Sequence, residues 1–162
     1  MRPSAGQVMH FSEDPHITRF APHVAATAQQ PEPYVWAVDA EQAPAYWFPR
    51  DCPRVMFWPA PGRVHAIEYG WLRRLQAVSL YAYRFDAALF RPFGSPRPHA
   101  MVATETVTPL GPPEPVGDLI ALHEQAGIEL RLLTNLWSLV DEVVESSWEF
   151  SCIRLRNADA RA

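Results

Sequence analysis

Short apolar runs, each stopped by a proline or a polar turn, constrain this chain more than any other feature. Between Val8 and Trp58 the order reads strand, polar stop, long loop, strand, turn with a short helix, an Arg50-Asp51-Cys52-Pro53-Arg54 knot, and strand again. Val8-Met9-His10-Phe11 ends in Ser12-Glu13-Asp14-Pro15, a turn-forming stop. Residues 21–33 carry no apolar period and read as a mobile Pro/Ala/Gln loop. Tyr34–Val38 is aromatic and β-branched, a buried strand. Asp39 and Gln42 have capping-box spacing, while Pro44 argues for a helix that starts at Pro44 itself.

Beyond Trp58 the same punctuation continues. Strands are expected at Val64–Tyr69, Leu80–Phe85 and Met101–Thr108, a short helix at Trp71–Ala77, and a loop over Arg91–Pro98. Tyr81, Tyr83 and Phe85 share one strand face. Asp118–Ala126 predicts a helix stopped by Gly127, then a strand at Ile128–Leu133. Leu136, Leu139, Val140, Val143 and Val144 follow a helical stripe, with Asp141, Glu142 and Glu145 mostly off it as solvated charges. Trp148–Leu155 closes as a strand. About seven or eight strands and three or four helices alternate irregularly, without strict βαβ order or a GxGxxG, which disfavours a Rossmann sheet. The expectation is a single α+β domain over residues 1–162, with a split, mixed or mostly antiparallel sheet, a loose leader at 1–7 and a loose tail at 158–162.

At 162 residues and 48% hydrophobic the chain is long enough for a real core. A net charge of -4 excludes nucleic-acid binding by general basicity. All 14 basic residues are Arg, so Schiff-base, Walker-A and kinase lysine chemistries are absent. Cys52 and Cys152 form no CxxC and no apolar N-terminal segment precedes them. That predicts reduced thiols in a cytoplasmic protein. No segment approaches a membrane span. Oligomeric state is not legible.

Candidate chemistry is sparse. His10, His16 and Asp14 suggest a metal-dependent enzyme, but their spacing matches no helix-borne zinc site, so no metal is expected. His10 sits at a strand end beside Ser12; the bland alternative is a half-buried histidine bonded to a backbone carbonyl. Arg50, Asp51 and Arg54 read as an ion pair holding a turn, or Arg50 as a phosphate donor. Glu105, placed mid-strand, is a carboxylate able to steady an oxocarbenium-like charge; Glu149, opening the last strand, competes with it.

Met9–Pro15, Val35–Asp39, Pro49–Val55 and Phe150–Ala158 resemble a family of uncharacterised bacterial proteins of about this length, a domain of unknown function. More distantly, His10 and Ser12, then Trp36, Asp39, Ala45 and Tyr46 or Trp47, then Glu105 or Glu149, resemble the ADP-ribosyltransferase-like superfamily. That resemblance implies a pocket for NAD or a related nucleotide. His10 would hold a ribose hydroxyl, Tyr46 or Trp36 would stack on nicotinamide, and Glu105 or Glu149 would steady the ribosyl cation. With Arg50 read separately as the phosphate donor, the expected site is Glu105 and His10 as catalytic residues and His10, Ser12, Trp36, Tyr46 and Arg50 as the cofactor-binding set. The chain departs from the pattern at Phe11, at Pro44 and in the absence of a Gln/Glu-x-Glu context. The function classes left open are therefore three: a nucleotide-binding protein with or without ADP-ribosyl transfer, a noncatalytic small-ligand or protein-interaction module, and the metal-dependent enzyme.

Overall fold

The computed structural model describes residues 1–24 and 31–161. The centre of the Pro/Ala/Gln loop, residues 25–30, lies outside the described residues. In chain order the strands are β1 (Gln7–Ser12), β2 (Val35–Ala37), β3 (Arg54–Trp58), β4 (Val64–Glu68), β5 (Tyr81–Asp86), β6 (Arg91–Phe93), β7 (Ala100–Ala103), β8 (Glu114–Pro115), β9 (Glu129–Leu133) and β10 (Glu149–Ile153). The helices are α1 (Leu72–Ala77), α2 (Leu119–Gln125) and α3 (Trp137–Glu145). The fold is α+β, with mixed or antiparallel sheets of three and four strands. Its contacts divide into two compact units, Met1–Trp47 with Ser79–Val116, and Phe48–Val78 with Gly117–Ala162.

The first unit contains two antiparallel three-stranded sheets, ordered β1-β5-β8 and β2-β7-β6. Between them lies a core of Val8, Tyr83 and Phe85 from one sheet and Val35, Ala37 and Ala103 from the other. Tyr81 packs against the same cluster, as the two-residue alternation of β5 requires. Met9 and Val38 exchange two backbone hydrogen bonds of 2.8 Å, which joins β1 to the end of β2.

Two expected elements differ here. The Arg91–Pro98 loop contains β6, whose Pro92 lies on an edge strand, where a missing N–H costs no ladder bond. The strand expected at Met101–Thr108 stops at Ala103, and the chain bends before Val107 makes an isolated bridge with Phe20. The expected helix near Pro44 is a single 3-10 turn, Ala43–Tyr46, with the proline in its first positions. Asp39 still serves that start, its Oδ1 accepting the Glu41 and Gln42 N–H groups.

The second unit is a four-stranded sheet, ordered β10-β3-β4-β9, antiparallel except for the parallel β4–β9 pair. Leu136, Leu139, Val140 and Val143 of the α3 segment pack on Val55, Phe57, Val64 and Ala66. Val144, expected on the same stripe, is exposed; at about 100° per residue it sits about 90° round the helix from the stripe's centre. Alternation along β4 sends His65 to the opposite sheet face, where it meets His123 of α2. Asp118 caps α2 by accepting the Ile120 and Ala121 N–H groups, and Gly127, at φ +66°, ends the helix as expected.

Both chain ends, expected to be loose, carry specific bonds within their own units. Trp47 Nε1 donates to Met1 O at 3.0 Å and Arg2 to Ala40 O at 2.7 Å. At the other end, Trp137 Nε1 donates to Asp159 O at 2.8 Å, and Arg161 pairs with Asp141 at 2.6 Å.

Candidate functional site

In the first unit the β1–Val38 junction carries the His10 ring to the backbone of Trp36. His10 Nδ1 lies 2.8 Å from Trp36 O. A carbonyl only accepts, so Nδ1 carries the proton and the ring is oriented by β2. Phe20 packs 5.0 Å from His10 and meets Tyr83 and Phe85 edge-on. Ser12 Oγ accepts the Asp14 N–H, and Asp14 Oδ1 accepts the His16 N–H. Tyr83 Oη donates to Asp14 O at 2.6 Å and accepts from Ile17 N. Ser12 and Asp14 thus build the polar stop itself. Among the described residues no group of three or more His, Cys, Asp or Glu is arranged to hold a metal ion, and His16 is exposed.

Trp36 leads the other half of the site. Register sets Trp36 opposite Val102, and Val102 opposite Arg91, so Tyr34, Trp36, Arg91 and Phe93 share one sheet face. Trp36 stands edge-on to Tyr34 at 5.9 Å and to Phe93 at 5.1 Å. Arg91 lies 5.3 Å from the Tyr34 ring and donates to its hydroxyl at 2.9 Å. Beyond Phe93 the chain turns at Gly94, where a Cβ would lie 2.2 Å from His99 Nδ1; only glycine permits that approach. The Trp36 indole Nε1–H is buried with no hydrogen-bond partner among the described residues. Buried donors are nearly always satisfied, so this indole N–H calls for an acceptor from outside the described residues, an ordered water or a ligand atom.

The remaining expected site residues are placed differently. Tyr46 is half-buried in the 3-10 turn. Glu105 is not on a strand; it sits in the exposed bend after β7, because pairing with β2 ends at Ala103. Glu149 does open a strand, β10, but is exposed and belongs to the second unit. Arg50 is also exposed and in the second unit. The turn after it is held by Arg54, which is buried, donates to Cys52 O at 2.8 Å and lies 5.1 Å over the Phe48 ring.

The second unit also holds a polar cluster that sequence reasoning missed. His65 and His123 are both buried, with His65 Nδ1 3.0 Å from His123 Nε2. Burial, and then the Arg63 charge, hold the His65 pKa well below the ordinary histidine range; burial also lowers that of His123. Cys52 is buried, and burial pushes its thiol up to about 12. The available signal was positional: His65 interrupts an apolar strand, and His123 lies one helical turn from Leu119 on the inward face of α2.

A family model covers nearly all of these features, matching residues 9–158. The chain belongs to the family of unknown function DUF6886. No curated protein and no solved structure matches it. The family carries no activity with it, so function rests on the geometry above. No helix among the described residues is long and apolar enough to cross a membrane.

Proposed function

We propose that the first unit binds a small planar ligand of the nucleotide class, with NAD or its nicotinamide part as the leading candidate, and that it does so without transferring ADP-ribose. The observation that carries this reading is the orphan Trp36 indole N–H beside the rings of Tyr34 and Phe93. A carboxamide oxygen or a purine nitrogen is the acceptor such a donor lacks, and a flat heterocycle suits aromatic neighbours. His10, its ring fixed by Trp36 O, and Ser12 would bind the ribose hydroxyls, with Tyr46 a further stacking surface.

Glu105 does not fit the catalytic half of the resemblance. An exposed carboxylate steadies a cation 4 Å away by only about 1 kcal/mol in water, against about 4 kcal/mol in a partly desolvated site. Binding without turnover follows, and the noncatalytic small-ligand module becomes the same proposal in general form. The free thiols of Cys52 and Cys152 support a reducing compartment such as the cytoplasm.

Thermal-shift titration with NAD, nicotinamide and AMP, on wild type and Trp36→Phe, tests the reading. A ligand present at a hundredfold its Kd stabilises by about 2.7 kcal/mol, which moves the midpoint by roughly 5–11 °C. The shift should vanish in Trp36→Phe, which keeps an aromatic side chain but loses the indole N–H together with part of the ring area packed on Tyr34 and Phe93. No shift in wild type at millimolar ligand, or an equal shift in the variant, refutes it.

A further inference from the structure

The Arg63, His65, His123 and Leu119 contacts in the second unit form one directed chain. Arg63 Nε–H donates to His65 Nε2 at 2.8 Å, His65 Nδ1 meets His123 Nε2 at 3.0 Å, and His123 Nδ1 meets Leu119 O at 2.7 Å. The tautomers can be read from either end. An arginine only donates, so His65 Nε2 accepts and its proton sits on Nδ1. A carbonyl only accepts, so His123 carries its proton on Nδ1 and accepts at Nε2. The two assignments meet at the histidine–histidine bond with one proton between the rings. Each nitrogen that could take a further proton already holds a neighbour's N–H. Neither ring can become charged while the chain is closed.

We propose that this chain is an acid-operated latch: α2 is held on the β4 face of the sheet while both rings are neutral, and proton uptake by His65 and His123 releases it. It lies wholly in the second unit and does not rest on the ligand-binding reading.

The surrounding charges favour the neutral closed form. Arg63, just before β4, and Arg54 on β3 bear on His65 as cations. The carboxylates near these elements are engaged elsewhere or exposed. Glu68 at the end of β4 accepts the Leu136 and Asp159 N–H groups. Asp118 caps α2, and Glu129 of β9 pairs with Arg131 at 2.6 Å. Glu124 on α2, and Arg73 and Arg74 on α1, are exposed. Phe48 packs 5.6 Å from His65 and 5.0 Å from His123, so the rings have apolar cover and no water-like medium for a charge.

The sign follows from the lowered pKa of both rings. The released helix binds protons that the closed one does not, so the closed form is fully stable above the ordinary histidine range and weakens as pH falls below about 6.5. Each ring multiplies the opening constant about tenfold per pH unit below that point. Between pH 7.5 and 5.0 the opening of α2 should therefore rise by up to about thirtyfold for one ring and up to about a thousandfold for two.

Residue-resolved hydrogen exchange on the whole chain reads this directly. The α2 amides should lose protection by that factor at pH 5.0, while the α3 amides of the same unit keep theirs, and His65→Gln/His123→Gln should make α2 protection independent of pH. The proposal is overturned if α2 is equally protected at both pH values, if α2 and α3 lose protection together, or if the double variant keeps the pH dependence. Should that variant not fold, nitrogen NMR of the wild-type rings decides. Both must be Nδ1–H tautomers at pH 7.5 and charge only as α2 protection falls; an Nε2–H tautomer on either ring overturns the chain.

Discussion

Glu68 offers a test of how the second unit is held together. Its side chain is 1% exposed at the end of β4. Oε1 accepts the Leu136 N–H at 3.2 Å, at the start of α3, and Oε2 accepts the Asp159 N–H at 3.1 Å, in the C-terminal segment. One carboxylate thus ties a helix start and a chain end to the sheet. Hydrogen bonds to a charged acceptor are worth about 1.5–3 kcal/mol each, so losing both costs about 3–6 kcal/mol. Glu68→Ala orphans the buried Leu136 N–H and leaves the part-buried Asp159 N–H to water, and Glu68→Gln keeps one acceptor oxygen and should cost about half as much. With about 1.4 kcal/mol to each factor of ten, a loss of about 4 kcal/mol speeds exchange at the Leu136 and Asp159 amides roughly a thousandfold. The assay is residue-resolved hydrogen exchange of both variants against wild type. A change under tenfold at both amides in Glu68→Ala would refute the reasoning, since the two donors would then be satisfied without the carboxylate.

Two further outcomes follow from other positions. Cys52, buried with its thiol pushed up to about 12, should resist a thiol reagent at pH 8 in the folded chain, with half-buried Cys152 reacting first; simultaneous labelling of both would contradict this. Gly94→Ala should destabilise the β6–β7 connection by about 2 kcal/mol or more, through the clash with His99 and the positive φ of +121°. A thermal midpoint unchanged from wild type would show that His99 moves aside freely.

Local patterns settled most of the elements. The α3 stripe, the cap at Asp118, the stop at Gly127 and the alternation of Tyr81, Tyr83 and Phe85 are periodic or near-neighbour signals, and such signals are written in consecutive residues. Pairing was not. Whether Thr104 to Thr108 continued β7 depended on β2 being only three residues long, so Glu105 left the strand for a reason located some seventy residues away. Pro92 concealed β6 because a proline is acceptable in a strand only at an edge, and edges are a property of the assembled sheet. The site divided in the same way. His10 stood out at its strand end, but that it bonds the Trp36 carbonyl follows from the Met9–Val38 bridge. Residue composition and spacing alone determined that this chain is α+β, built of short strands, and without lysine chemistry. The orphan indole of Trp36 and the proton-ordered pair of His65 and His123 were decided by tertiary structure, since hydrogen bonding between rings 58 residues apart is set by which faces the sheet brings together.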